Sequence, residues 1–245
     1  MSAVPEEPPD HIRHLKKLSS TETAAPMSPP LTAHVAERPG SAGTARPRLI
    51  VPYIAMWSGE TTEEEPRLVV LPSRTGIGYA DEILGDRDSR GVLWDRATLD
   101  PGHGTPRFAQ IHVHRQRRAM RKLLCQVCAG PADRDDDGTL WLIPDRTQPW
   151  PNWPEGMAVA EPPICRPCAH LATRACPALR AEGHFVIRAR EHPIHGVDGT
   201  HYRPGPHSPV PVTSQPVAFD DPAIRWVLAS KLVRTLHDCT IATDL

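Results

Sequence analysis

Two Cys-x-x-Cys pairs, Cys125-Gln126-Val127-Cys128 and Cys165-Arg166-Pro167-Cys168, constrain this chain more than any other feature of it. A two-residue gap lets both sulfurs of a pair turn toward one ion at about 2.3 Å, and two such knuckles supply the four thiolates of a closed tetrahedral zinc site. A closed sphere leaves no position for water, so the expected role of the zinc is structural. The competing reading is a redox pair of the thioredoxin type. That chemistry needs one Cys-x-x-Cys between a strand and a helix, and two pairs with 36 residues between them fit zinc better. Cys176 lies 8 residues beyond Cys168. At about 1.5 Å rise per helical residue that is too far to complete the same site, and Cys176 reads as a buried packing residue. Cys239 has no spacing partner and is given no role.

The first knuckle runs through Ala129-Gly130-Pro131 and the acidic turn Asp135-Asp136-Asp137-Gly138 into the strand-like Thr139–Ile143. The second runs directly into Ala169–Ala175, which reads as a helix. Knuckle, hairpin, then a knuckle opening a helix resembles a treble clef or a zinc ribbon over residues 124–180. Treble-clef knuckles also occur in HNH nucleases, whose intervening hairpin carries metal-binding and water-activating histidines. No histidine lies between Cys128 and Cys165 here, and the single asparagine, Asn152, sits in a proline-rich tract, so nuclease chemistry is not expected. Pro163-Ile164-Cys165-Arg166-Pro167-Cys168 is similar to the P-C-x-x-C of zinc deaminases. Their mechanism needs an upstream H-x-E, which this chain lacks, and Ile164 interrupts the pattern.

Composition narrows the class further. The 245 residues suffice for a sizeable core, and 29 prolines argue for turns and irregular connections over long helices. Arginine outnumbers lysine 24 to 4, which reads as coding bias, and the formal net charge of −1 provides no global field toward nucleic acid or membrane. No apolar run approaches the ~20 residues a spanning helix needs, and the acidic, proline-broken start does not resemble a secretory signal. A cytoplasmic protein is expected, in a reducing compartment that keeps thiols available for metal. Residues 1–46 carry Pro, Ser, Thr, Ala and Glu without a sustained apolar period and read as a disordered tail. Within it His11–Leu18 has the makings of a short transient helix.

Residues 47–245 are expected to form a single small α+β domain built around the zinc element 125–180. Leu49–Ile54 and Arg67–Leu71 read as strands joined by a polar loop, and Gly91–Trp94 as a further short strand. Gly76-Ile77-Gly78 lacks a phosphate-loop pattern and reads as a turn. Residues 112–124 have helical periodicity, with Val113, Met120, Leu123 and Leu124 in one arc and His114, Arg115, Arg118, Arg121 and Lys122 opposite. His184–Arg188 and Gly199–Arg203 read as a hairpin interrupted at Pro193 and Gly196. A last helix is expected from Asp221 as N-cap and Pro222 in its first turn, with Ile224, Leu228, Leu232 and Leu236 forming an apolar stripe.

Three other features bear on function. His184, His192, His195, His201 and His207 raise a second metal site as an alternative, but they match no ligand spacing and read as satisfied or solvated. Gln148–Gly156 sets Trp150 and Trp153 on a stiff segment expected to close over its own core, a recognition surface being the alternative. The basic arc Arg115, Arg118, Arg121 and Lys122 beside a knuckle is the one feature pointing to nucleic acid. The runs Arg115–Cys128, Trp153–Met157, Pro162–Cys165 and Asp221–Trp226 resemble a group of uncharacterised actinobacterial proteins with paired zinc knuckles; the resemblance implies no activity. The leading expectation is a non-enzymatic binding or regulatory protein with structural zinc and a protein partner. A DNA- or RNA-binding module using helix 112–124, and an enzyme with a site outside the knuckles, are the alternatives from other classes.

Overall fold

The 15-residue run Val227–Ile241 organises the molecule, and it is a strand. Its β-branched residues Val227, Val233, Thr235, Thr240 and Ile241 suit a pleated surface, and a four-residue apolar spacing satisfies a two-residue period as well as a helical one. The expected C-terminal helix is therefore corrected. Asp221 does cap, accepting from the Ala223 N–H at 2.8 Å, but the turn it starts is a short 3-10 segment, Pro222–Trp226, that leads straight into the strand.

The structure, a computed structural model, describes residues 50–62, 66–145, 150–242 and 245. The expected tail, 1–46, lies outside the described residues. In chain order the strands are β1 (Ala55–Trp57), β2 (Leu68–Val70), β3 (Ile77–Tyr79), β4 (Leu93–Trp94) and β5 (Pro106–Ile111). After helix α1 (Val113–Lys122) come β6 (Arg134–Asp135), β7 (Gly138–Pro144) and β8 (Met157–Val159). Helices α2 (Arg166–Ala175) and α3 (Pro177–Glu182) precede β9 (His184–Glu191), β10 (Ile194–Arg203), β11 (Val210–Ala218) and β12 (Val227–Ile241). The α+β expectation holds at that level, with strands predominating.

Among the described residues three sheets form: β1 with β5, β2 with β3, and an eight-stranded sheet centred on β12. The expected hairpin between 184–188 and 199–203 is not present. Instead β9 and β10 lie end to end along β12, antiparallel, and β10 carries register shifts after Ile194 and after Asp198. Glu191 faces His237 and Ile194 faces Arg234, so the break at His192-Pro193 inserts nothing. Pro193 is tolerated there because its carbonyl still accepts from the Thr235 N–H at 3.1 Å while no ladder donor is required of it. On their outer edge β10 pairs β11 and β9 pairs β7. Gly196 and Gly199 are packing glycines: a Cβ at either would lie 2.1 Å from a neighbouring carbonyl, of Val217 and Leu228 respectively.

On its other edge β12 pairs β4 at Leu228 and Ala229 and β8 at Arg234–Leu236, leaving a gap at Leu232. A side chain from α1 fills it. The fully buried Gln116 accepts from the Leu232 N–H at 2.9 Å and donates to the Leu232 and Ala160 carbonyls at 2.9 and 2.7 Å. Backbone groups that no strand reaches are thereby paired. β12 contributes to three apolar clusters, through Val227, Ala229 and Leu232, through Leu228, and through Leu236.

The first third departs from expectation in two places. Residues 50–54 form no strand of their own; Tyr53 and Ile54 donate to the Val127 and Gln126 carbonyls and so latch onto the first knuckle, and β1 begins at Ala55. The Gly76–Gly78 turn reading is half right: Ile77-Gly78-Tyr79 is a buried strand paired with β2, and only Gly76, at φ 153°, serves the turn before it. Leu68–Val70 and Leu93–Trp94 are strands as read.

Candidate metal centre

Each half of the four-cysteine group is set up by local backbone. Helix α1 stops at Leu123, whose left-handed φ of 51° turns the chain out of the helix. Leu124 then bridges Pro131 across the loop, and the Cys125 N–H donates to the Gly130 carbonyl at 2.7 Å. Ala129, at φ 61°, makes the tight return, and its N–H donates to the Cys125 carbonyl at 2.9 Å. Inside this loop the Val127 N–H points at the Cys125 sulfur, 3.4 Å away. The second half is a helix start. Cys165 is the N-cap residue of α2, Pro167 occupies its first turn, and Cys168 follows on the same turn.

Tertiary packing brings the halves together. The Gln126 N–H donates to the Pro163 carbonyl, Asp133 to Ile164, and Ile164 to Leu140, tying the knuckle loop, β7 and the approach to α2 in series. Cys125, Leu140, Leu142, Ile164, Ala169, Leu179 and Val186 form the apolar cluster beneath. The sulfurs of Cys125, Cys128, Cys165 and Cys168 all lie within 4.8 Å of one another, with Cys128 and Cys165 at 3.8 Å. That separation excludes a disulfide, whose sulfurs sit at about 2.05 Å. It matches the edge of a tetrahedron with metal–sulfur bonds of about 2.3 Å, roughly 3.8 Å. Cys125 is fully buried, Cys165 and Cys168 are partly covered, and Cys128 is exposed.

The electrostatics ask for a cation. Burial pushes the Cys125 thiol up, against the backbone N–H groups that lower it, and burial with the neighbouring sulfurs pushes Cys168 up strongly. At Cys128 burial also raises, but the Gly130 N–H and the adjacent thiols outweigh it and the group is lowered. Four sulfurs this close cannot ionise together without a positive charge among them, which a divalent ion supplies. The four sequence-predicted ligands thus come together as a group able to hold a metal. Among the described residues they are the one cluster of three or more histidine, cysteine or acidic side chains so arranged.

Other predicted residues fall elsewhere. Cys176 packs against the cluster under the centre, half-buried, and is not one of the four clustered sulfurs. Cys239 packs beside Leu236, and burial together with the charges of Glu155 and Asp238 pushes its thiol up to about 12. The five histidines are not brought together as a ligand set; His192 instead bonds Thr139 at 3.1 Å. Trp153 packs edge to face on Phe185, 4.4 Å between ring centres, and both tryptophans close over the core.

The basic arc needs correction at Arg115. Its guanidinium is 5% exposed and pairs with Glu60, itself fully buried, and donates to the Ala55 carbonyl at 2.7 Å. His112, fully buried at the head of α1, lies 3.7 Å from the same carboxylate. Burial raises the Glu60 carboxyl, but Arg115 and the backbone N–H groups of Trp57 and Asp100 prevail and hold it at about 2. No sequence signal marks this group, because Glu60 and Arg115 stand 55 positions apart. Arg118 donates to the Tyr53 hydroxyl at 3.0 Å, Arg121 lies 3.6 Å from Asp88, and Lys122 is exposed. Comparison of the chain with protein-family models, curated proteins and solved structures gave no match.

Proposed function

We propose that this chain is a zinc-stabilised, non-enzymatic binding protein whose Cys125, Cys128, Cys165 and Cys168 hold one structural zinc in a treble-clef element. The observation that carries the reading is the four-sulfur cluster, with a 3.8 Å edge and ligands drawn from one knuckle and one helix start. A knuckle, the β6–β7 hairpin and a helix whose first turn carries the second pair is the order of parts a treble clef requires. The likeness to actinobacterial paired-knuckle proteins accords with it, as does a cytoplasmic setting that keeps thiols reduced. Among the described residues no helix is long and apolar enough to cross a membrane. Protein purified without chelator is expected to contain one zinc per chain. Metal analysis finding none, or a Cys165→Ser variant with full occupancy, overturns the site.

A nucleic-acid role has one observation in its favour: Arg118, Arg121 and Lys122 remain exposed beside the knuckle. With Arg115 buried, the face offers three cations, two of them close to Tyr53 or Asp88. If they neutralise phosphates, replacing all three with Gln reduces the salt slope of DNA or RNA binding by about one for each phosphate no longer neutralised. Absence of binding by the parent protein near physiological salt removes this reading.

A further inference from the structure

The four clustered cysteines are not equally shielded. Cys125 is fully buried, Cys165 and Cys168 are partly covered, and Cys128 alone is exposed. The neighbouring Gly130 leaves the Cys128 sulfur open on one side: a Cβ at that glycine would stand 3.4 Å from it, at ordinary contact distance. The backbone does not demand a glycine there, since the φ of Gly130 lies outside the left-handed region. Oxidants reach cysteines in order of their access, so Cys128 is the first of the four to meet one.

The second observation is what stands beside it. The Cys128 sulfur lies 3.8 Å from that of Cys165, across the two halves of the cluster. A disulfide at about 2.05 Å requires that pair to close by about 1.75 Å. Cys165 is the N-cap of α2 and lies outside the regular helix, whereas Cys168 is held within its first turn and Cys125 is packed in the apolar cluster below. Of the three sulfurs facing Cys128, that of Cys165 has the least structure to disturb in moving.

We infer that Cys128 is a site of oxidation by hydroperoxides, resolved by Cys165 into a Cys128–Cys165 disulfide that releases the metal. This names a regulation of the same centre and rests on the zinc reading. The Cys128 sulfur attacks one oxygen of the peroxide: an S–O bond forms, the O–O bond breaks, and the other oxygen leaves and takes a proton as water or alcohol. Cys128, now a sulfenic acid, has given two electrons to the peroxide. The Cys165 sulfur then attacks it, forming the S–S bond and expelling hydroxide, which a proton converts to water. Two thiolates, one hydrogen peroxide and two protons thus give one disulfide and two waters. The bonded sulfurs no longer bring the charge that ligates a divalent ion, and Cys125 with Cys168 cannot close the coordination sphere alone. The new bond spans 37 positions and ties the knuckle to the helix start, the two halves that the metal joins. Oxidation therefore removes zinc and keeps the element closed, whereas a chelator removes zinc and frees both halves.

The test uses the full chain as purified, its zinc counted first. Excess hydrogen peroxide is added beside a chromogenic zinc indicator, and the product is digested without reduction for peptide mapping by mass spectrometry. Release of the zinc is expected in step with one disulfide, Cys128–Cys165. Gly130→Val keeps all four cysteines and covers the exposed sulfur, and it is expected to slow release at least about threefold; Gly130→Ala serves should the valine variant lose zinc on purification. The double variant Cys176→Ser/Cys239→Ser is expected to react like the parent. Amide exchange across 125–182 in the oxidised, zinc-free chain is expected to be at least about threefold slower than in the chelated one. A bond within either pair as the main product, further oxidation of Cys128 without a disulfide, or zinc retained through excess peroxide overturns the inference. So does a shielded variant that keeps its zinc yet releases it at the parent's rate. A chain that purifies without zinc sinks the metal reading instead, and the disulfide map, which needs only the four sulfurs, then decides the inference.

Discussion

Cys125 and Cys176 lie in the same apolar cluster and differ in what their sulfurs face. Cys125 faces three other sulfurs, and its removal takes from the cluster its one fully buried thiol. Because metal binding and folding are coupled, Cys125→Ser is expected to lose zinc and soluble yield together. Cys176→Ser is expected to keep one zinc per chain, as measured on purified protein. Glu60 is the second residue on which much rests. Its carboxyl, held at about 2 when folded, is below its ordinary value of 4.5. The stabilisation it provides is therefore complete above pH 4.5 and is lost as pH falls from there toward 2. The shift corresponds to about 3 kcal/mol, in line with roughly 3–5 kcal/mol for breaking a buried pair. Glu60→Gln should be destabilised by that order near neutral pH, with the difference from the parent shrinking below pH 4.5 in urea titrations; a constant difference down to about pH 2.5 contradicts this account.

Among the elements, β10 is the one most exposed to a small change, because it is paired on both edges and approached closely by both neighbours. A methyl group at Gly199 meets the Leu228 carbonyl at 2.1 Å, and backbone on a paired strand cannot yield as a side chain can. Gly199→Ala is expected to cost about 2–3 kcal/mol, the upper part of the range for forcing atoms into a packed interior. A denaturation midpoint within error of the parent's would show that β10 and β12 can part without penalty. Helix α1 illustrates how far periodicity carries. Val113 and Met120 are buried as the helical projection requires, and the end near Lys122 follows from the turn into the knuckle. Arg115 falls on the polar arc of the same projection, yet β1 and Glu60 pack on that side, so the arc is not all solvent-facing. A helical wheel reports direction around an axis and is blind to what stands there.

For the whole molecule, the metal centre and the long ladder are separable sources of order. The centre braces the loop 125–131, β7, α2 and α3, whereas β10, β11 and the first half of β12 draw on a different apolar cluster, around Val197, Val217 and Leu232. If the cluster holds the proposed zinc, a chelator is expected to speed amide exchange across 125–182 by at least about tenfold while β10 and the first half of β12 keep their protection. Uniform loss of protection would mean that the two parts unfold as one. The sequence by itself determined which four cysteines cluster, because Cys-x-x-Cys spacing encodes sulfur geometry within a few bonds of backbone. It also determined the helix that begins at the second pair, since the N-cap position and the following proline are local. The long strand was decided only by tertiary structure: a four-residue apolar spacing at Leu228, Leu232 and Leu236 is compatible with both periods. Partners far away in the chain on β9 and β10, along with β4 and β8, chose between them by completing the backbone hydrogen bonds. The burial of Arg115 was decided in the same way, since only folding brings Glu60 to it across 55 positions.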